Sequence, residues 1–71
     1  NMIADTVAGI YLLRDPDFSP GDTVTAGSVT GTVMSIGLRK SRFEVEGDTV
    51  VVANREVESK WTLKERAGTE R

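Results

Sequence analysis

Between Phe18 and Asn54 the chain never runs far without a turn residue, and this spacing restricts the fold more than any other feature. Read as Phe18-x-x-Gly21-Asp22, then Gly27-x-x-x-Gly31-x-Val33-x-x-Ile36-x-Leu38-Arg39-x-Ser41, then Gly47-Asp48 and Val50-Val51-Val52-Ala53-Asn54, it sets turn formers between short apolar runs. Runs of this length bounded by Gly, Pro, Asn and Asp read as strands. Thr23-Val24-Thr25 is the first, held between Pro20-Gly21-Asp22 and Ala26-Gly27. Val29 to Leu38 is the second, and its alternation changes phase: Val29, Gly31 and Val33 share one parity, Met34, Ile36 and Leu38 the other. A bulge or sharp bend produces such a change, and Gly31 offers a backbone that tolerates one. Strongly bent strands are how small barrels close.

Alternation resumes with Ser41, Phe43 and Val45 on one face and Arg42, Glu44 and Glu46 on the other. A Gly47-Asp48 turn then leads into Thr49 to Ala53, so that Phe43 and Val45 face Val50 and Val52 across a hairpin. Asn54-Arg55-Glu56 is expected to make a single helical turn with Asn54 as its cap. Lys60 to Lys64 alternates and makes the last strand. Ahead of all this, Asn1 to Arg14 is the one helical segment: Ile3, Val7 and Ile10 fall on one face, Asn1, Asp5 and Ala8 on another, and Leu12 interrupts the smaller-residue side. Asp15-Pro16 ends it, because the residue before Pro leaves the α region. The expected fold is mainly β: a small five-stranded Sm-like or SH3-like barrel preceded by a short N-terminal α-helix, with the OB-fold as its neighbour. The expected divisions are helix 1–14, barrel 18–66 and a frayed tail 67–71.

Seventy-one residues make one domain with a small core. With no Cys and no His, thiolate metal sites and Ser-His or Cys-His nucleophilic chemistry fall away, no residue earns a catalytic role, and no cofactor or metal is expected. A net charge of −2 disfavours a dedicated nucleic-acid binder. No apolar run approaches the roughly 20 residues that cross a bilayer. The chain opens on Asn1 and passes directly into an apolar segment, as expected of a piece of a longer protein.

The order and spacing of Phe18, Gly21, Asp22, Gly27, Gly31, Val33, Ile36, Ser41, Gly47 and Asn54 resemble the soluble β-domain of the small-conductance mechanosensitive channel (MscS-type) family. That pattern opens on Pro-Phe-x-x-Gly-Asp and closes on Ile-Pro-Asn. Among the barrels the resemblance selects the Sm-like one. It implies that residues 1–14 are the end of the third, pore-forming transmembrane helix, where a family Asn-x-x-x-Gly pattern breaks the helix; Gly9 matches the Gly and Asp5 stands for the Asn. It further implies a homo-oligomer, a heptamer in the family, in the cell membrane, with this domain on the cytoplasmic side. There it supports the pore helices and forms part of the ring and ion path that releases ions when membrane tension rises. The isolated fragment can be a monomer. Three departures stand out: Asp17 between Pro16 and Phe18, Ala53 for the Pro of Ile-Pro-Asn, and Lys64-Glu65-Arg66 where Asn-x-Ser is typical.

Two surfaces are candidates for contact. Arg39, Lys40 and Arg42 form a basic knot suited to lipid headgroups, permeating anions or RNA phosphate, although its plainer reading is a solvated turn balanced by Asp15, Asp17, Asp22 or Glu44. The strand edges carrying Val50, Val52, Trp61 and Leu63 are the candidate subunit interface, since open edges pair and head-to-tail contacts close rings. The alternative function is a free-standing Sm-like barrel that binds single-stranded RNA, with Arg39, Lys40 and Arg42 on phosphates and Phe43 or Trp61 stacked on bases.

Overall fold

The computed structural model describes residues 1–68; the remainder of the expected frayed tail, 69–71, lies outside them. Helix α1 spans Met2–Arg14, with the Asn1 side chain accepting the Ala4 N–H at 2.9 Å as a cap. It ends at Asp15, whose extended backbone obeys Pro16. The helix is continuous through Asp5 and Gly9, so the Asp5-x-x-x-Gly9 pattern does not break it. Its inward face is Asp5, Ala8, Gly9 and Leu12, while Ile3 is 77 % exposed and Val7 and Ile10 also face outward. The residue that interrupted the smaller-residue side, Leu12, is the one that anchors the helix in the core. Among the described residues no helix is long and apolar enough to cross a membrane.

Five antiparallel strands follow: β1 Thr23–Ala26, β2 Val29–Ile36, β3 Lys40–Val45, β4 Asp48–Ala53 and β5 Trp61–Glu65, with α2 Asn54–Ser59 between the last two. Their order in the sheet is β4-β3-β2-β1-β5, so consecutive strands are neighbours until β5 returns to β1. Val52 on β4 and Trp61 and Leu63 on β5 come from opposite ends of this order, yet all pack on one core. Only a strongly coiled sheet permits that, and the coil is the small barrel expected, with β4 and β5 left as its edges.

The phase change in β2 is a bulge, but it lies between Val33 and Ser35, where the register against β3 shifts at Met34, and not at Gly31. Gly31 serves a different need: a Cβ there would stand 2.6 Å from the Glu44 carbonyl oxygen, so its lack of a side chain lets β3 approach. The β3–β4 loop is Glu46-Gly47, one residue earlier than Gly47-Asp48, and Asp48 pairs with Val45. Both loop residues have positive φ, 51° and 89°, as a type I′ turn demands, and Glu44 Oε2 accepts the Gly47 N–H at 2.7 Å.

The core gathers Leu12, Phe18, Val24, Ala26, Val33, Phe43 and Val57. Phe18 is its hub, meeting Phe43 edge-on at 6.2 Å between centroids and Trp61 at 5.0 Å. Leu12 of α1 and Val57 of α2 both enter this core; the two helices pack on each other and on β3, with α1 also reaching β2 and α2 reaching β4.

Candidate functional site

Among the described residues, the densest polar arrangement joins α1 to the barrel. Asn54 is fully buried, and it does not cap α2, whose capping position is Ala53 without a side-chain bond. Its Oδ1 accepts the Ser41 hydroxyl at 2.7 Å, its Nδ2 donates to the carbonyls of Gly37 (2.9 Å) and Leu38 (3.2 Å), and its backbone N–H donates to Arg39 O at 2.8 Å. One side chain thus fixes the β2–β3 turn against β3 and the start of α2. A fully satisfied buried amide specifies geometry strongly, because each broken bond leaves a dry polar group.

The cap that Asn54 does not supply comes from α1. Asp5, only 8 % exposed, accepts the Arg55 N–H on its Oδ1 at 3.0 Å. A carboxylate at the positive end of a helix is favourable, and here it ties two helices together across the chain. One turn further along α1, Gly9 admits Asn54: a Cβ at Gly9 would lie 2.6 Å from Asn54 Nδ2 and 3.0 Å from Leu38 O. The family resemblance pairs Asp5 with Gly9; their partners Arg55 and Asn54, far along the chain, leave no such trace in the sequence.

A second polar anchor holds the lead-in to β1. Asp22 is buried, with Oδ2 accepting the Ser19 N–H (3.1 Å) and Oδ1 the Ala67 N–H (2.8 Å), so Ala67 is fastened at the start of the expected frayed tail. Gly21 and Gly27 both have positive φ in the turns that flank β1. Two of the family departures meet in space: Arg66 Nη2 lies 2.7 Å from Asp17 Oδ1 and its Nη1 donates to Pro16 O at 3.2 Å. The hydrogen bond to Asp17 raises the Arg66 pKa above its ordinary value, so the guanidinium stays charged.

None of the four acids expected to balance the basic knot does so. Asp17 pairs with Arg66, Asp22 holds the two backbone N–H groups above, Asp15 accepts the Asp17 N–H and Glu44 the Gly47 N–H. Arg39, Lys40 and Arg42 are exposed. They line, with Gly37 and Leu38, an open cup of about 250 Å³. The RNA reading loses its stacking surfaces, since Phe43 is fully buried and Trp61 packs edge-on against Phe18.

The expected interface strands are the sheet edges, β4 and β5. Yet Val52, Trp61 and Leu63 turn toward the core and Val50 is half-buried; β4 exposes Asp48, Thr49 and, as its outward apolar side chain, Val51. What these edges offer a partner is backbone. Beside β4, a groove of about 450 Å³ runs between Val50 to Ala53 and the Ala26 to Val29 turn.

Comparison with known proteins agrees with this geometry. The family described as mechanosensitive ion channel, beta-domain matches residues 1–60. A small-conductance mechanosensitive channel of Caldanaerobacter subterraneus subsp. tengcongensis is 33 % identical over 58 residues, which are 80 % of this chain and 21 % of the relative. An MscS family protein of Helicobacter pylori is 34 % identical over 61 residues, 84 % of this chain and 10 % of that protein. A cryo-EM structure of Arabidopsis thaliana MSL1 superposes with a TM-score of 0.80 at 32 % identity, covering 93 % of this chain and 24 % of that one. The chain therefore spans a quarter or less of the relatives it matches.

Proposed function

The chain belongs to the mechanosensitive ion channel family of the MscS type, matching its β-domain, and from that premise we propose that it works as the collar beneath the pore of such a channel. In this reading α1 is the end of a pore-forming helix, the barrel lies on the cytoplasmic side, and copies of the barrel form a ring of seven through which ions pass when membrane tension rises. The observation that carries it is the seam between α1 and the barrel. A helix merely shielding a core would bury its largest apolar side chains; α1 instead buries Asp5, Ala8, Gly9 and Leu12 and leaves Ile3, Val7 and Ile10 outward, free to meet other segments. The open edges β4 and β5, at opposite ends of the sheet, suit head-to-tail assembly into a closed ring.

The test is a pressure-clamp recording of the longer protein carrying this chain, reconstituted in bilayers. Currents that open with tension and vanish when residues 18–63 are deleted support the reading. A correctly inserted protein that conducts under no tension short of rupture refutes it.

A further inference from the structure

The turn between β2 and β3 is held from within. Asn54 takes the carbonyls of Gly37, Leu38 and Arg39, which turns their acceptor edge toward the barrel and sends the side chains out. Leu38 at the tip is 72 % exposed, and Arg39, Lys40 and Arg42 beside it are exposed as well. The Arg42 guanidinium forms one wall of the cup, with Nη1 3.7 Å from the position a Gly37 Cβ would occupy. Among the described residues no acidic side chain pairs with any of the three cations. Three positive charges gathered at one turn of a chain whose net charge is −2 make a local excess, not a general property of the surface.

The cup's lining also holds one large apolar side chain, the exposed Leu38. The turn rests on α1 at Gly9, where a Cβ would lie 3.0 Å from Leu38 O. Cations that pair with phosphate, next to an exposed leucine that favours hydrocarbon, match the boundary between lipid headgroups and acyl chains. Single-stranded RNA calls for exposed aromatic planes, and neither Phe43 nor Trp61 presents one.

We propose that Leu38, Arg39, Lys40 and Arg42 form a docking surface for anionic phospholipid at a membrane face, with the cations on headgroup phosphates and Leu38 at the acyl boundary. The proposal rests on the reading of this domain as one that sits against the membrane. It is tested by co-sedimenting the 71-residue chain with vesicles of phosphatidylcholine alone, and of phosphatidylcholine mixed with phosphatidylglycerol, over a range of salt. Binding is expected to the mixed vesicles only and to weaken as salt screens it. Each cation at an anionic surface is worth roughly fivefold in partitioning, so the triple variant R39Q/K40Q/R42Q should bind on the order of 100-fold more weakly. Leu38→Ser should cost about tenfold. All four side chains are exposed, and circular dichroism should show both variants folded.

Failure to bind mixed vesicles at low salt overturns the proposal, as does undiminished binding by the triple variant, which would leave the apolar face of α1 as the contact. Displacement by glycerol phosphate at matched phosphate concentration points to a free-phosphate pocket, and displacement by single-stranded RNA points to RNA; either result also overturns it. Tension-gated currents in a protein whose domain ignores anionic vesicles would remove this proposal and leave the channel reading intact. Vesicle binding in a protein that never conducts would do the reverse.

Discussion

Replacing Gly9 by Ala separates two opposing effects on a single methyl group. In an unconstrained helix the change stabilises by about 1 kcal/mol, because Gly spends more chain entropy than Ala. At this position the new Cβ would lie 2.6 Å from Asn54 Nδ2, 3.0 Å from Leu38 O and 3.3 Å from Gly37 O. Two of those atoms are backbone, and the third belongs to a side chain fastened at 2.9 Å and 3.2 Å to those same carbonyls. The contact can be relieved only by shifting α1 or by expelling the amide from its bonds. Overpacking costs roughly 1–3 kcal/mol, and a buried amide left short of a partner costs roughly 1–3 kcal/mol more. Less the roughly 1 kcal/mol gained from the helix, the net expectation is a loss of about 1–5 kcal/mol. For a domain of this size each kcal/mol lowers Tm by roughly 4–8 °C. Thermal and urea unfolding of the 71-residue chain reads it directly. The decisive control is the same change beside Asn54→Ser, which removes the amide nitrogen. There Gly9→Ala should cost clearly less, because only the contacts with the Leu38 and Gly37 carbonyls at 3.0 Å and 3.3 Å remain, giving a measurable coupling between the two sites. If Gly9→Ala raises Tm in the unaltered chain, the seam is looser than described and the reasoning fails.

Two further expectations concern the cap and the edges. Asp5→Ala should cost about 1–2 kcal/mol by uncapping α2, whereas Asp5→Asn keeps an acceptor for the Arg55 N–H and should cost less than about half of that; equal losses in urea unfolding would show that the hydrogen bond is not what matters. Lys placed at Val51 and Thr62, both outward on the edge strands, should leave the single chain folded but block assembly of the longer protein, read as mass by light scattering; an unchanged oligomer would put the interface elsewhere.

The strands were legible because turn chemistry is local. Gly27 and Gly47 mark positions whose φ is positive, and the residues between such marks alternate in a way that a strand alone explains. The bulge was legible as a change of parity, and its displacement from Gly31 to Met34 reflects two separate demands, close approach of β3 at one residue and an extra residue at the other. What escaped are the pairings that leave no periodic trace. Asp5 meets Arg55 and Asp17 meets Arg66 across some fifty residues of chain. Asn54 looked like a cap because it opens a helix, yet its side chain is drawn inward by Ser41 and the turn carbonyls, and the vacancy at α2 is filled from α1. Which face of α1 packs was hidden for a related reason. Hydrophobic pattern finds the greasiest stripe, and in this helix that stripe is the one turned away.

That inversion bears on how a displacement of α1 would travel. Apolar burial is non-directional, so a helix held by a greasy stripe can slide or roll with little penalty until its contact area falls. Here α1 contributes only Ala8 and Leu12 to burial of apolar side chains, and its placement depends on Asp5 at the end of α2 and on Gly9 against Asn54. Both contacts are short-ranged and specific, so a small shift along the axis breaks the first and a small roll closes the second into a clash. Asn54 is bonded to Ser41, to the turn at Gly37 to Arg39, and through its own backbone to the start of α2. A displaced α1 therefore has three routes into the barrel: Asp5 to α2, Leu12 to the core that holds Phe18, and Gly9 against Asn54 to the basic turn and β3.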